Sequence, residues 1–256
     1  MRRASSRTQI TSGTKEWADH NVNCIAGCYN NCRYCYAKLM ARRFGRSTER
    51  TWGEMRIRQE SVKKSYAKLE GRVMFPSSHD LFDFPRFKEA CFVVLTKLLE
   101  SGNNVLLTTK PRLRIVQEIH DCFERRREQL QFRFTITSSN DRLLEFWEPN
   151  APRFGERMVS LRFAFENDYR TSVSIEPFLD YDPRFVVQSV APYSTESIWI
   201  GRMNHIPREV PDTEAAFFAD VRRNYETGHL KDIYNELRDV PKIRFKDSIR
   251  HQLGLR

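Results

Sequence analysis

A chain of 256 residues with 40% hydrophobic and 12% aromatic residues, and only 10 glycines and 11 prolines, has the make-up of a globular protein and excludes a collagen-like or low-complexity one. A chain of this size buries roughly three quarters of its unfolded surface, so no metal is needed merely to supply a core, and a metal site is read as functional. The formal net charge is +10, and the whole excess lies in residues 1–72, which hold 16 Lys+Arg against 6 Asp+Glu. One-sided basic charge is the footprint of contact with a polyanion, most often nucleic acid; its plainer reading is a solvated surface.

In chain order, residues 1–15 read as a flexible basic arm, and residues 16–256 as one domain without linker or repeat. Met1-Arg2-Arg3-Ala4-Ser5-Ser6-Arg7 is polar with no apolar stretch behind it, and no apolar run approaches the roughly 18 residues of a membrane span. The expectation is a cytoplasmic protein. Strands are predicted at Asn21–Ala26, Arg72–Pro76, Asn104–Thr109, Phe132–Thr137, Thr171–Glu176 and Ser197–Arg202, with an extra one at Lys242–Phe245. Between them lie helical patterns, such as Ile115, Ile119, Cys122 and Phe123 on one apolar stripe. Alternation of this kind implies an α/β fold of parallel units. A partial barrel, a full barrel and an open doubly wound sheet all accommodate it, and all place their chemistry in loops at the C-terminal strand ends.

After the first predicted strand comes Cys28-Tyr29-Asn30-Asn31-Cys32-Arg33-Tyr34-Cys35, a C-x3-C-x2-C array. Six cysteines in an intracellular chain point to thiols or metal ligands before disulfides. Three thiolates in one tight loop suit three corners of a [4Fe-4S] cluster and leave the fourth iron open to a small chelating cofactor. Zinc is the rival reading, with Cys24 as a fourth ligand, although structural zinc takes two ligand pairs separated by a longer loop; unliganded thiols are a third. Cys24 alternates with Val22 and Ala26 and reads as a packed core residue, and Cys91 and Cys122 read as buried on helix faces.

The array, with an aromatic before its last cysteine, resembles the signature of radical S-adenosylmethionine (SAM) enzymes. That resemblance implies a partial (β/α)6 barrel, single-domain, with a [4Fe-4S] cluster on Cys28, Cys32 and Cys35 and SAM chelated to the unique iron. It also implies reductive cleavage of SAM to a 5′-deoxyadenosyl radical that abstracts hydrogen from a substrate. Gly27-Cys28 through Cys35-Tyr36-Ala37, Thr109-Lys110-Pro111 and Glu148-Pro149-Asn150-Ala151-Pro152 with Arg157 resemble the spore photoproduct lyase-like branch. Ser174-Ile175-Glu176-Pro177-Phe178-Leu179 and Lys246 are similar to phage-associated radical SAM proteins.

By the same resemblance Tyr34 shields the cluster and approaches the adenine. Ser77 and Ser78 offer carbonyls to the SAM amino group, where the family often has glycines. At the other strand ends, Lys110 suits the SAM carboxylate, Ser138 and Ser139 suit the carboxylate or ribose, and Glu176 and Met203 complete the cofactor rim. His79, His205 and Glu176 are the candidates for moving protons. Each of these is also an ordinary strand-end or packing residue, and their convergence on one rim is what singles them out.

The expected function is a radical SAM enzyme, of lyase or isomerase type, acting on a nucleobase or modified pyrimidine in DNA by base modification, isomerisation or lesion cleavage. DNA would bind through the basic N-terminal third, with Arg42-Arg43, Arg46, Lys63-Lys64 and Arg125–Arg127 as phosphate contacts. A flavodoxin or ferredoxin would donate the electron. No cysteine lies between Cys35 and Cys91, where photoproduct lyases carry a hydrogen donor, which favours modification at least as much as repair. The alternatives are a radical SAM enzyme on a peptide or small metabolite, and a non-catalytic iron-sulfur or zinc module that binds nucleic acid.

Overall fold

The computed structural model describes residues 13–255. Residues 1–12 of the expected arm lie outside the described residues. Gly13–Glu16 form a 3-10 turn, so Gly13–Lys15 belong to the folded body and not to the arm. The Gly13 N–H donates to Asp247 Oδ2 at 3.1 Å, and Lys246 Nζ donates to the Gly13 carbonyl at 2.7 Å.

In chain order the elements are β1 (His20–Asn21), β2 (Ile25–Ala26), α1 (Tyr36–Arg43), β3 (Arg56–Ile57), α2 (Gln59–Lys63), β4 (Arg72–Phe75), α3 (Pro85–Glu100), β5 (Asn104–Thr109) and α4 (Leu113–Phe123). There follow β6 (Leu130–Thr135), α5 (Asp141–Trp147), α6 (Phe154–Glu166), β7 (Arg170–Ile175), α7 (Arg184–Val190), β8 (Ile198–Ile200), α8 (Ala215–Asn224), α9 (Thr227–Leu237), β9 (Ile243–Phe245) and α10 (Asp247–Gln252). Seven strands pair in parallel in the order β1-β4-β5-β6-β7-β8-β9 and curl into a half-barrel. β1 and β9 are its two edges and do not pair with each other, so the barrel stays open. The extra strand expected near residue 242 is β9, the seventh of the sheet.

Because side chains alternate along a strand, the sheet has two unlike faces. Val73, Phe75, Val105, Leu107, Phe132 and Phe134 turn outward into the core beneath the helices. α3 answers them with Ala90, Cys91, Val94, Leu95, Leu98 and Leu99, two adjacent columns at helical spacing, all buried. The alternate residues turn into the barrel and are largely polar. There Arg72 Nη1 donates to Gln131 Oε1 at 2.7 Å, and Arg133 Nε donates to Ser172 Oγ at 3.1 Å.

The single strand expected over Asn21–Ala26 is two. Asn23 breaks it: its Oδ1 accepts the N–H groups of both Ser77 and Ser78 at 2.8 Å, and its Nδ2 donates to Ser77 Oγ at 2.8 Å. The side chain thus replaces the backbone ladder, and the chain leaves the barrel to form β2, which pairs antiparallel with β3. Cys122 is also placed otherwise than expected. The buried stripe of α4 is Ile115, Val116, Ile119 and Phe123, whose centre leaves Cys122 at its margin, exposed to solvent. Among the described residues, no helix is long and apolar enough to cross a membrane.

Candidate functional site

The cysteine loop hangs between the β2–β3 ribbon and the barrel rim. Gly27 opens it with φ +87°, and a Cβ there would stand 2.6 Å from the Trp52 carbonyl, so both the turn and the close approach require glycine. The Cys28 N–H donates to that same carbonyl at 3.0 Å. Asn31 takes a left-handed φ of 46°, and buried Lys38 holds its Oδ1 at 3.2 Å while pairing with Glu49 at 2.7 Å. Cys35 caps α1, its Sγ accepting the Lys38 N–H at 3.4 Å. From the barrel side, Asn30 Nδ2 donates to Asp80 Oδ2 at 2.6 Å, and Arg112 donates to Asn30 Oδ1 at 2.8 Å.

Cys28 and Cys32 are buried and Cys35 is half-buried, all as free thiols. Burial pushes the Cys28 thiol well up, helped by Asp80 and the two neighbouring cysteines. Burial likewise raises Cys32 to about 12, against the pull of Lys110. Cys28, Cys32 and Cys35 thus place three free thiols on one short loop. Iron-sulfur clusters are held by cysteine thiolates, and three of them leave one iron of a [4Fe-4S] cluster without a protein ligand. The donor set, three thiols with no fourth Cys or His on the loop, therefore fits such a cluster, whereas structural zinc takes four protein ligands.

Around this loop the rim carries a buried charge hub. Glu148, at the C-terminal end of α5 and wholly buried, accepts from the Tyr34 hydroxyl, from Thr137 Oγ1 at 2.7 Å and from Arg157 Nη2. Burial works against its charge, yet Arg157 and Lys110 hold its carboxyl below the usual range. Burial also works against the Lys110 ammonium, and Cys32, Glu148 and Asp80 more than offset it, so the lysine stays charged. Its Nζ stands 3.9 Å from Glu148 Oε1 and 5.7 Å from the centre of the Tyr34 ring. No group among the described residues lies within hydrogen-bonding distance of that Nζ, which leaves its donors for an anion.

The remaining rim residues fall into three places. The Ser77 and Ser78 carbonyls accept no hydrogen bond among the described residues, their N–H groups being held by Asn23. The Ser138 hydroxyl is committed to Asp180 Oδ1 at 2.5 Å, and the Ser139 N–H to Asp180 Oδ2 at 2.9 Å. Tyr34, Cys35, Trp147, buried Met203 and exposed His205 line one cleft beside the cysteine loop. Glu176 instead lies toward the barrel interior, 4.0 Å from Lys246, and burial raises its carboxyl to about 7. His79 is turned away from the cleft into the core, toward Cys24 and Cys91.

Asp80, Asn30, Lys38, Thr137 and Asp180 support this site without having been picked out by the sequence reading. Asp80 was the most legible of them, since it follows β4 in the same strand-end segment as Ser77 and Ser78. It binds the Leu81 N–H at 2.8 Å, the Lys110 N–H at 3.1 Å and the Thr109 hydroxyl, and with Asn30 it joins three segments.

No family model matches the chain. Over 172 residues it is 27% identical to the uncharacterized protein ORF301 of Acidianus two-tailed virus, an alignment covering 63% of this chain and 55% of that protein. The chain thus spans about half the length of that curated relative. Among solved structures, a spore photoproduct lyase variant with dinucleoside spore photoproduct superposes with a TM-score of 0.58 at 13% identity, covering 93% of this chain and 79% of that one. Another lyase variant, with bound AdoMet and dinucleoside spore photoproduct, gives 0.55 at 14% identity and the same coverage. Streptococcus suis SuiB bound to precursor peptide SuiA gives 0.50 at 8% identity, covering 72% of this chain and 39% of that one. The chain therefore has the fold of spore photoproduct lyase, the branch that its cysteine loop and strand-end motifs resemble.

Proposed function

We propose that this chain is a radical SAM enzyme acting on a nucleobase or modified pyrimidine in DNA. The observation that carries the proposal is the thiol set Cys28, Cys32 and Cys35 on one loop, beside a half-buried lysine with free donors on the rim of a lyase-type barrel. When bound, a [4Fe-4S] cluster and SAM supply reductive cleavage of SAM and hydrogen abstraction from substrate carbon. The protein's part is to hold and orient them. Cys28, Cys32 and Cys35 hold the iron; the Lys110 ammonium pairs with the SAM carboxylate; the Ser77 and Ser78 carbonyls receive its ammonium. Tyr34, locked by Glu148, and Met203 wall the adenine side, with Ser138 and Ser139 at the next strand end. Glu176, poised near neutrality, and His205 in the cleft are the groups able to move a proton at the substrate.

For DNA, Arg42, Arg43, Arg46 and Arg50 are exposed beside exposed Tyr36 and Phe44 on and after α1, directly behind the last cysteine. Cations interleaved with aromatic faces suit phosphates and unstacked bases. The reading places the reaction in the cytoplasm, with a flavodoxin or ferredoxin as electron donor. The likeness to SuiB favours a second reading, in which the substrate is a peptide.

Anaerobic reconstitution with iron and sulfide, followed by assay of 5′-deoxyadenosine under reduction, tests the proposal. The wild type is expected to bind four irons and form 5′-deoxyadenosine, and the Cys28→Ala, Cys32→Ala, Cys35→Ala variant to do neither; zinc in place of iron with SAM intact would leave only a binding module. DNA affinity should fall steeply with salt, and the slope should shrink by about one per arginine on replacing Arg42, Arg43 and Arg46 by alanine. Salt-independent binding, or turnover stimulated by peptides and not by DNA, would favour the second reading.

A further inference from the structure

Cys24, His79 and Cys91 meet in the core from three separate segments: the chain after β1, the loop after β4 and the middle of α3. We infer that they form a second metal site, distinct from the cysteine loop, that takes one zinc ion through two thiolates and one imidazole. All three side chains are buried, and their ligand atoms lie within 4.8 Å of one another.

The distances suit a single ion. Cys24 Sγ stands 3.7 Å from Cys91 Sγ and 3.9 Å from His79 Nε2. Two thiolates at ~2.3 Å from a tetrahedral zinc stand about 3.8 Å apart, and a thiolate and an imidazole nitrogen about 3.5 Å apart.

The histidine is also presented as a ligand. Its Nδ1–H donates to the Asp80 carbonyl at 3.0 Å, which fixes the tautomer and leaves Nε2 as the acceptor nitrogen, on the side of the ring near the two sulfurs. Nε2 now accepts the Cys24 N–H at 3.2 Å, a contact the ion would replace. Charge balance favours the ion as well: two thiols release their protons to solvent, and two thiolates with one neutral imidazole cancel the charge of Zn²⁺. A neutral centre is what an interior this dry tolerates. Thiolate with imidazole selects zinc over the hard cations, and three protein ligands leave the fourth corner of the tetrahedron to a non-protein donor. The ion would tie α3 to the segment four residues before Cys28, and through Asp80 to Asn30, so it would brace the cysteine loop from behind.

The test is independent of the radical SAM reading because it uses the full chain carrying Cys28→Ala, Cys32→Ala and Cys35→Ala, which has no cluster ligands. That protein is expected to purify with about one zinc per chain. Exchange of the zinc for Co²⁺ should give a thiolate-to-cobalt charge-transfer band that disappears when Cys91→Ala is added. If the triple variant does not fold, metal analysis of the reconstituted wild type against its Cys91→Ala variant replaces it, with loss of the zinc equivalent and retention of iron expected. Absence of zinc and of the cobalt band, zinc content indifferent to Cys91, or a Cys24–Cys91 disulfide in the peptide map of the native protein would each overturn the inference.

Discussion

Glu148 and Glu176 are carboxylates of one barrel rim, both withdrawn from water, and their proton affinities move in opposite directions. Glu148 has no exposed side-chain surface, yet Arg157, Tyr34, Thr137 and Lys110 converge on it and keep it ionised. Glu176 keeps 16% of its side chain exposed and burial raises it to about 7, which Lys246 at 4.0 Å, itself engaged by Glu16 at 2.5 Å, does not offset. Burial sets the cost of the charge, and the geometry of the partner decides whether that cost is met. The paired carboxylate is scaffold, whereas the under-paired one is left able to exchange a proton.

Arg157→Met should break the comparison most severely. It leaves Glu148 buried with two hydroxyl donors and one cation, Lys110 at 3.9 Å, and chemical denaturation should show a loss of about 3–5 kcal/mol. The lowered proton affinity of Glu148 contributes stability above the ordinary carboxylate range, and that stability is lost as pH falls through its lowered value. In the variant, acid unfolding should therefore begin at a higher pH. An unchanged denaturation midpoint would show that the hub is not a structural pair.

A smaller effect is expected from Gly201→Ala. A Cβ at Gly201 would stand 2.8 Å from Glu176 Cγ and 2.9 Å from both Glu176 Cδ and Lys246 Cγ. The expected loss is about 1–3 kcal/mol, and it should diminish in a Glu176→Ala background, where part of the obstruction is gone. Equal losses in both backgrounds would place the strain elsewhere.

The smallest effect, and the most diagnostic, is that of Glu176→Gln. Below the ordinary carboxylate range, folded and unfolded chains both carry the proton and the variant should match wild type. As pH rises from there through about 7, the unfolded chain releases the proton first, so the wild type loses stability that the glutamine keeps. At pH ~8 the variant should be more stable by on the order of 1 kcal/mol, the residual exposure reducing the full linkage value. Identical urea midpoints across that range would mean Lys246 satisfies Glu176 fully.

What was legible in the sequence is what depends on neighbours along the chain. β5 lies where its apolar run predicted, and β9 arises from the short apolar run before Lys246. The cysteine array, the parallel β/α order and the strand-end positions of Lys110 and Glu176 follow from spacing alone. The first strand was misjudged because a polar side chain, Asn23, ends it by binding two backbone groups more than fifty residues away. Cys122 was misjudged because helical spacing gives the stripe but not its centre, which the packing of α4 decides.

The sequence by itself determined the sheet's alternation, the tight thiol loop and the concentration of charge in residues 1–72, since period, spacing and composition are local properties. Only the tertiary structure decided which charges are met and which are not. Glu148 finds Arg157 nine residues on, Asp80 gathers Asn30 and Thr109 from opposite directions, and Cys24 meets His79 and Cys91 across separations of 55 and 67 residues. The electrostatic fate of a buried group is set by distances of a few ångströms, and those exist only once the half-barrel has folded around it.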